Sequence, residues 1–426
     1  MKRMMMSVSA VAMVAGAAQA GFAAPGDIAE QTANITAATE VVPAGERMAA
    51  DHAPLGIRAG SFLIIPKVDL TETYNDNIYA TDKNTKSDFI TSVRPSIAAR
   101  SNWSRHALNA VASGDFRRYA DHDSENQDNF NVATDGRIDV LRDTSIGGGV
   151  SYSQDHEDRG DPNTIGSPDT PVTYKTTVAR IGAYRGLGKA NARFDSEVKK
   201  LEYDDSTSTT GALINNGVRD RDEYTQTVRL GYQLDDRFEV FARGAFDNRV
   251  YDDKSVGRSN NGQTYTAGTA FDVSGKTKGE VYAGYQKRSY GENLRDSIDD
   301  PTFGGKVTWN ATDLTTVIGS IDRGIEETTI AGSSGFIGTD YNLAVEHALT
   351  RDILLKGNVG YTNNDYQGNA ANQRKDDIIL AGIGADYWLN RCLKAGLSYN
   401  YTDRDSNQTG GDFSRNTVML RLTATY

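Results

Sequence analysis

From Phe62 onward, apolar and polar residues alternate with a period of two. Phe130, Val132, Thr134, Gly136, Ile138 and Val140 share one face of an extended chain. Asn131, Ala133, Asp135, Arg137 and Asp139 share the other. Tyr224, Val228, Leu230, Tyr232 and Leu234 alternate with Thr225, Thr227, Arg229 and Gln233, with Gln226 the one exception on the apolar side. Leu393, Ala395, Leu397, Tyr399 and Tyr401 alternate with Lys394, Ser398, Asn400 and Thr402. The chain closes in the same way: Val418, Leu420, Leu422, Ala424 and Tyr426 oppose Thr417, Met419, Arg421, Thr423 and Thr425. Successive strand side chains point to opposite faces, so each run predicts a strand with one apolar and one polar face. The pattern is weakest over Thr173 to Gly186 and Leu314 to Glu326, where neither face is clearly apolar.

The connections alternate as well. Short polar turns fall at Ser104-Arg105, Arg142-Asp143-Thr144, Gly188-Lys189, Asp235-Asp236-Arg237 and Ser274-Gly275-Lys276, and again at Ala311-Thr312-Asp313, Thr350-Arg351-Asp352 and Asn390-Arg391-Cys392. Between them lie longer connections rich in Asp, Asn, Ser and Gly, such as His156 to Val172 and Asp204 to Asp222. Short turns on one side and long loops on the other are the connectivity of an antiparallel transmembrane β-barrel. The segments number about 18, with 16 as the alternative, and an even number places both termini on the periplasmic side. A propeller would need four strands in each repeat of about 40 residues, where this chain holds two long ones. A soluble sandwich would leave half of so many polar faces without a role, whereas closure in lipid uses both faces.

The N-terminus narrows the compartment. Lys2 and Arg3 precede an apolar run from Met4 to Gly16, and Ala18-Gln19-Ala20 offers a cleavage site, the pattern of a removed signal peptide over residues 1–20. Residues 21–60, rich in Ala, Glu and Thr, are expected to be a disordered periplasmic segment, and residues 61–426 the outer-membrane barrel. The single cysteine, Cys392, leaves no intramolecular disulfide. The formal net charge of -11 comes from 57 acidic and 46 basic residues, without a basic stripe of the kind nucleic acid requires. Two aromatic girdles are expected in lipid, with Tyr119, Tyr152, Tyr203, Tyr251, Tyr290, Tyr361 and Tyr401 at the loop ends and Trp103, Phe238, Trp309, Tyr387 and Trp388 at the turn ends. Pro95 cannot donate to a ladder and predicts a bulge.

One stretch is more specific. Phe62-Leu63-Ile64-Ile65-Pro66-Lys67-Val68-Asp69-Leu70-Thr71-Glu72-Thr73-Tyr74-Asn75-Asp76-Asn77-Ile78-Tyr79-Ala80-Thr81 is followed by Asp88-Phe89, Pro95 and Ser101-Asn102-Trp103-Ser104-Arg105-His106. Together they resemble the putative β-barrel porin 2 family of outer-membrane proteins, in detail over Phe62 to about Asp128 and in architecture beyond. The resemblance implies a Gram-negative outer-membrane location and a link to exopolysaccharide export or envelope assembly. It supplies no catalytic residues.

Candidate chemistry lies on the inward faces. Arg94, Arg117, Asp135, Arg137, Asp139, Arg229, Glu239, Arg243, Asp247, Lys306 and Lys356 are expected to line the lumen, either as a field acting on solutes or as ion pairs bracing the wall. Phe241 and Tyr282 face inward with them. The loop from His156 to Val172, with Pro162, Pro168 and Pro171, occupies the position of a constricting loop. His122 and His156 sit beside carboxylates at loop edges, but acidic loops are usually solvated surface, and geometry rather than neighbourhood makes a catalytic base. A cation site from Glu72, Asp76 and Asp82 is the minor alternative to a turn. Gly147-Gly148-Gly149 is expected to relieve crowding in a strand, and Gly332-Ser333-Ser334-Gly335 lacks the spacing of a nucleophile elbow. No catalytic residues, metal site or cofactor are expected. Val418, Leu420, Leu422 and Tyr426 are expected to form the aromatic-terminated signal read by the outer-membrane assembly machinery. The expected function is a porin-like channel for hydrophilic solutes or saccharides, and the alternative is a non-enzymatic structural or export-associated barrel with a closed lumen.

Overall fold

The computed structural model describes residues 41–291, 295–368 and 374–426. The expected signal peptide and residues 21–40 lie outside them. The described residues form long antiparallel strands in chain order: β1 (Phe62–Asn75), β2 (Asp88–Ser101), β3 (Ala107–Tyr119), β4 (Gln127–Leu141), β5 (Thr144–His156), β6 (Thr173–Leu187), β7 (Ala190–Tyr203), β8 (Arg221–Gln233) and β9 (Phe238–Tyr251). The second half continues with β10 (Asn260–Val273), β11 (Thr277–Tyr290), β12 (Ile298–Asn310), β13 (Thr315–Glu326), β14 (Ser333–Ala348), β15 (Ile353–Gly368), β16 (Lys375–Trp388), β17 (Leu393–Ser406) and β18 (Phe413–Thr425). Each strand pairs with the next, and β18 pairs with β1 from Lys67↔Thr425 to Asn75↔Thr417, so the sheet closes on itself. An 18-strand barrel follows, and closure leaves no unpaired edge in lipid.

The alternation sets the faces. Val68, Leu70, Val132, Ile138, Leu230, Ile383, Leu397 and Leu420 are exposed on the outside, while Asp69, Asp135, Arg229, Glu280 and Arg415 are buried on the inside. The two weakly patterned segments still form β6 and β13, because their neighbours' backbones fix the register. β6 pairs along its whole length with β7. β13 pairs with β12 only as far as Gly304↔Asp322. Beyond that point Arg323 bonds Asp300 (2.8 Å) and Thr339 (2.7 Å), and Ile325 packs with Ile298 and Ile337. Pro95 does not produce the expected bulge. Val93↔Phe116 and Ser96↔Ser113 keep one register on either side of it, so the ladder lapses for two residues without an insertion. A side chain on Gly149 would meet the Thr134 carbonyl at 2.9 Å and the Asp135 Cβ at 3.0 Å, so the glycine run does relieve crowding.

Residues 41–60 depart from the expected disorder. Ala44–Asp51 forms a helix, α1, lying on the inner wall at the short-turn rim. Ala44 and Met48 bury against Ala348, Leu354 and Trp388, a contact worth on the order of 2 kcal/mol for the methionine alone. Its free N-terminal amides are met by wall residues: Ala44 N–H donates to Thr316 Oγ1 (2.8 Å) and Gly45 N–H to Glu346 Oε2 (2.7 Å). His52 stacks on Trp388 and pairs with Asp352 (3.1 Å). The period of two dominates this chain, and an eight-residue helix that becomes stable only against a wall leaves little trace beside it. A short strand, Ile57–Ala59, then pairs with Phe62–Ile64 and continues the wall just below the end of β18, where Tyr426 N–H bonds Pro66 O (3.1 Å).

The girdles need a similar correction. Tyr152, Phe238, Trp309, Tyr361 and Tyr387 are exposed on the outside. Tyr251 and Trp388 are buried inside. By strand parity Tyr119, Tyr203 and Tyr290 also face inward, because each falls at an odd step from the apolar face of its strand.

Candidate functional site

All eleven expected lumenal residues fall on inward positions, but they do different things there. On β8–β11, Arg229 pairs with Glu239 (2.5 Å) and Glu280 (3.5 Å), and Arg243 pairs with Glu280 (3.1 Å). Phe241 lies beneath Arg229, with the guanidinium carbon 4.1 Å from the ring centroid, and Tyr282 beneath Arg243 at 4.7 Å. Tyr282 in turn donates to Asp322 (2.6 Å). A buried guanidinium is tolerated only when paired, and stacking on a ring adds to that, so this wall is braced. Phe241 and Tyr282 are therefore covered by arginines and do not present bare faces to a solute.

Toward the long-loop end of the same wall, Asp247 pairs with Arg288 (2.8 Å). Asp115 joins Arg94 (3.0 Å) and Arg117 (2.8 Å) on β2 and β3. Arg137 and Asp139 pair at 2.9 Å, and Asp135 accepts from Asn109 (3.2 Å). Lys306 and Lys356 differ from the others in being exposed on the inward face.

The long-loop end is narrowed by two loops that fold inward. The segment Glu157 to Val172 leaves β5 and crosses to the wall formed by β17 and β18, where Arg404 donates to Gly160 O (2.5 Å) and Arg415 pairs with Asp158 (3.3 Å). A Cβ on Gly160 would lie 3.1 Å from Ala80 and 3.3 Å from Phe413, so the close approach fits a residue with no side chain. Arg219 pairs with Glu157 and stacks on Tyr203 at 3.9 Å, while Arg159 pairs with Glu125 (2.5 Å). Burial pushes the Asp161 carboxyl up to about 6, with the charge of Glu157 adding to the effect.

The second loop joins β13 to β14, nearly half the circumference away in strand order. Its Glu327 reaches Arg249 (2.8 Å) and Asn260 (3.0 Å) on the inner wall. The two loops meet: Asn163 accepts from Thr328 Oγ1 (3.1 Å) and Thr329 N–H (3.0 Å), and its carbonyl accepts from Thr329 Oγ1 (2.7 Å). The inward fold of the first loop was anticipated from its prolines and position. The second was not, and only the acidic pair Glu326-Glu327 at the end of a weakly patterned strand hinted at it.

The remaining candidates take structural roles. His122 bonds Asp88 (2.8 Å), whose carboxylate also receives the Ala120 and Asp121 N–H groups and so anchors the loop after β3. His156 bonds Asn129 (2.7 Å). Glu72, Asp76 and Asp82 do not converge: Glu72 accepts from Thr91 on the outer face, Asp76 receives Asn416, and Asp82 lies beside Lys83. Among the described residues no group of acidic, His or Cys side chains is arranged to hold a metal. Val418, Leu420 and Leu422 are exposed along the outside of β18, and Tyr426 is exposed just past its end.

Residues 50–426 match the family described as Putative beta-barrel porin 2. Among solved structures, the chain is similar to OpdK of Pseudomonas aeruginosa with vanillate, at 10% identity and a TM-score of 0.46 over 85% of this chain and 99% of that one. It is also similar to OccAB4 of Acinetobacter baumannii, at 13% identity and 0.46 over 85% and 98%. The siderophore receptor PirA of Pseudomonas aeruginosa follows at 7% identity and 0.45 over 85% and 80%. These are likenesses of fold alone. No curated protein sequence matches this chain. The closed barrel, its apolar exterior and its charged interior define a porin-like barrel of the bacterial outer membrane. The chain belongs to the Putative beta-barrel porin 2 family. In this setting the short-turn rim is periplasmic and the long-loop rim extracellular.

Proposed function

We propose that this barrel is a passive, non-enzymatic channel for hydrophilic solutes, saccharides among them, entered from outside through the passage left by the two inward loops. The observation that carries this reading is the exposed, inward-facing pair Lys306 and Lys356 below those loops. Water reaches these side chains inside the wall, which favours a wet lumen over a filled one. An association with exopolysaccharide export rests on the family resemblance alone. The reading with a closed lumen is favoured by one observation, the join of Asn163 to Thr328 and Thr329, with α1 at the opposite mouth. Reconstitution of the folded protein in planar bilayers separates the two: stepwise single-channel currents support the channel, and a silent bilayer containing verified folded barrel supports the closed form.

A further inference from the structure

The periplasmic floor of the lumen, on β15–β18, holds an unbalanced cluster. Asp386 is nearly buried and receives three cations: Lys356 Nζ at 2.8 Å, Arg421 Nη2 at 2.9 Å and Lys394 Nζ at 3.7 Å. The register explains the convergence, because Asp386 stands opposite Gly396 and Gly396 opposite Arg421. A Cβ on Gly396 would lie 2.7 Å from Asp386 Oδ1 and 3.3 Å from Arg421 Nη2, so the ion pair lies flat over a glycine and both lysines stay close to the lumen. The neighbouring carboxylates are engaged elsewhere. Glu346, opposite Lys356 in the ladder, accepts the Gly45 N–H of α1, and Asp69 is held by Lys67 (2.8 Å) and the Thr423 hydroxyl. Lys356, Lys394 and Arg421 therefore share a single ion-paired carboxylate, Asp386, and with the charge of Glu346 counted the cluster still carries three positive charges against two negative. The Lys356 side chain is 45% exposed and that of Lys394 27% exposed.

A partly buried excess of positive charge is stabilised by an anion, and ammonium groups with free donors are suited to supply the contacts. We propose that Lys356 and Lys394 form a binding site for an oxyanion, the carboxylate or phosphate group of a small solute, beside the seat of α1. The carboxylate of Asp386, itself anchored by the Arg421 guanidinium, holds the two lysines in place. Lys394 also lies 5.1 Å from the centroid of the Trp388 ring, which connects occupancy of the site to an indole. As a selectivity site it rests on the channel reading; as a binding site it does not.

The test uses the full folded chain in detergent. Potassium succinate and potassium phosphate are titrated separately while tryptophan fluorescence is followed, with potassium chloride at matched ionic strength as control. Saturable binding of either probe above the chloride response is expected. Binding of succinate alone assigns the carboxylate class, and binding of phosphate alone the phosphate class. Lys356→Met with Lys394→Met should weaken binding by about tenfold or more, the scale of a lost charge-assisted contact. Lys356→Arg with Lys394→Arg, which keeps the charge, should retain it. Responses no different from chloride, or equal affinity in the Met and Arg variants, would overturn the site. In bilayers, a conducting wild type should prefer anions and the Met variant should lose that preference. A conducting protein without anion binding removes this site and leaves the channel reading standing. Anion binding by a barrel that does not conduct keeps the site and removes the channel reading.

Discussion

The wall at β8–β11 and the floor at β15–β18 both set cations against carboxylates on the inward face, yet their charge is balanced differently. On the wall, Arg229 and Arg243 face Glu239 and Glu280, two against two, and aromatic rings fill the space between them. On the floor, Lys356, Lys394 and Arg421 share Asp386, three against two with Glu346 counted, over a glycine. A balanced, buried set has little left to offer a solute, and its cost of desolvation is recovered only while every partner stays in place. An unbalanced, half-exposed set depends less on each partner and keeps a field directed into the lumen. On the channel reading, inward charge thus divides into charge that holds the barrel and charge left to act on a solute.

The largest effect should come from the wall. Glu280→Gln leaves two buried guanidiniums short of a partner and should lower stability by about 3–5 kcal/mol, read as an earlier urea midpoint for the folded barrel in lipid. A midpoint unchanged from wild type would mean that the wall is not braced in this way. The join between the loops is next. Asn163→Ala removes two of the three hydrogen bonds, about 1 kcal/mol each, and should raise conductance by widening the extracellular passage, whereas unchanged conductance would place the restriction elsewhere.

The docked loop should also respond to pH. Burial raises Asp161 from 3.8 to about 6, so this acid holds its proton more tightly when the loop is docked than when it is free. Docking therefore gains stability as pH falls from above 6 toward 4, and loses it as pH rises through about 6. Conductance should be lower at acid than at mildly alkaline pH, and Asp161→Asn should flatten the profile. A profile that survives the substitution would point to another group.

The smallest effect is expected from Lys306→Glu. This exposed side chain has little structural duty, so cation preference should rise modestly while the urea midpoint stays where it was. Deletion of Tyr426 probes a separate process. It should reduce the amount of barrel assembled in the outer membrane while leaving the conductance of each assembled barrel unchanged.

The strands and their parity were legible because lipid on one side and a polar interior on the other impose a period of two on nearly every segment, including the closing Val418 to Tyr426. Counting the segments put the strand number at about 18 with 16 still open, and the closure of β18 on β1 fixes it at 18. What could not be read were features set by contacts across the lumen. The inward side of Trp388 follows from its parity, which its expected place in the girdle overlooked; what no local pattern shows is that it receives Met48 and His52. Arg404 and Arg415 carry no sequence signal that marks them out from other charges near a loop, and only the approach of Gly160 and Asp158 makes them loop anchors. Asp386 and Lys394 lie on adjacent strands, while Arg421 joins them only because Gly396 lets the pair close over it. Parity is local and readable; partnership across a barrel is not.

On the channel reading, a wet passage runs through this barrel between the inward loops and the periplasmic floor. Single-channel recording of the folded protein in planar bilayers tests it most directly. Discrete openings are expected, and they grow when Asn163→Ala frees the loops. Bilayers that stay silent with both the wild type and this variant, although folded barrel is shown to be inserted, would contradict it.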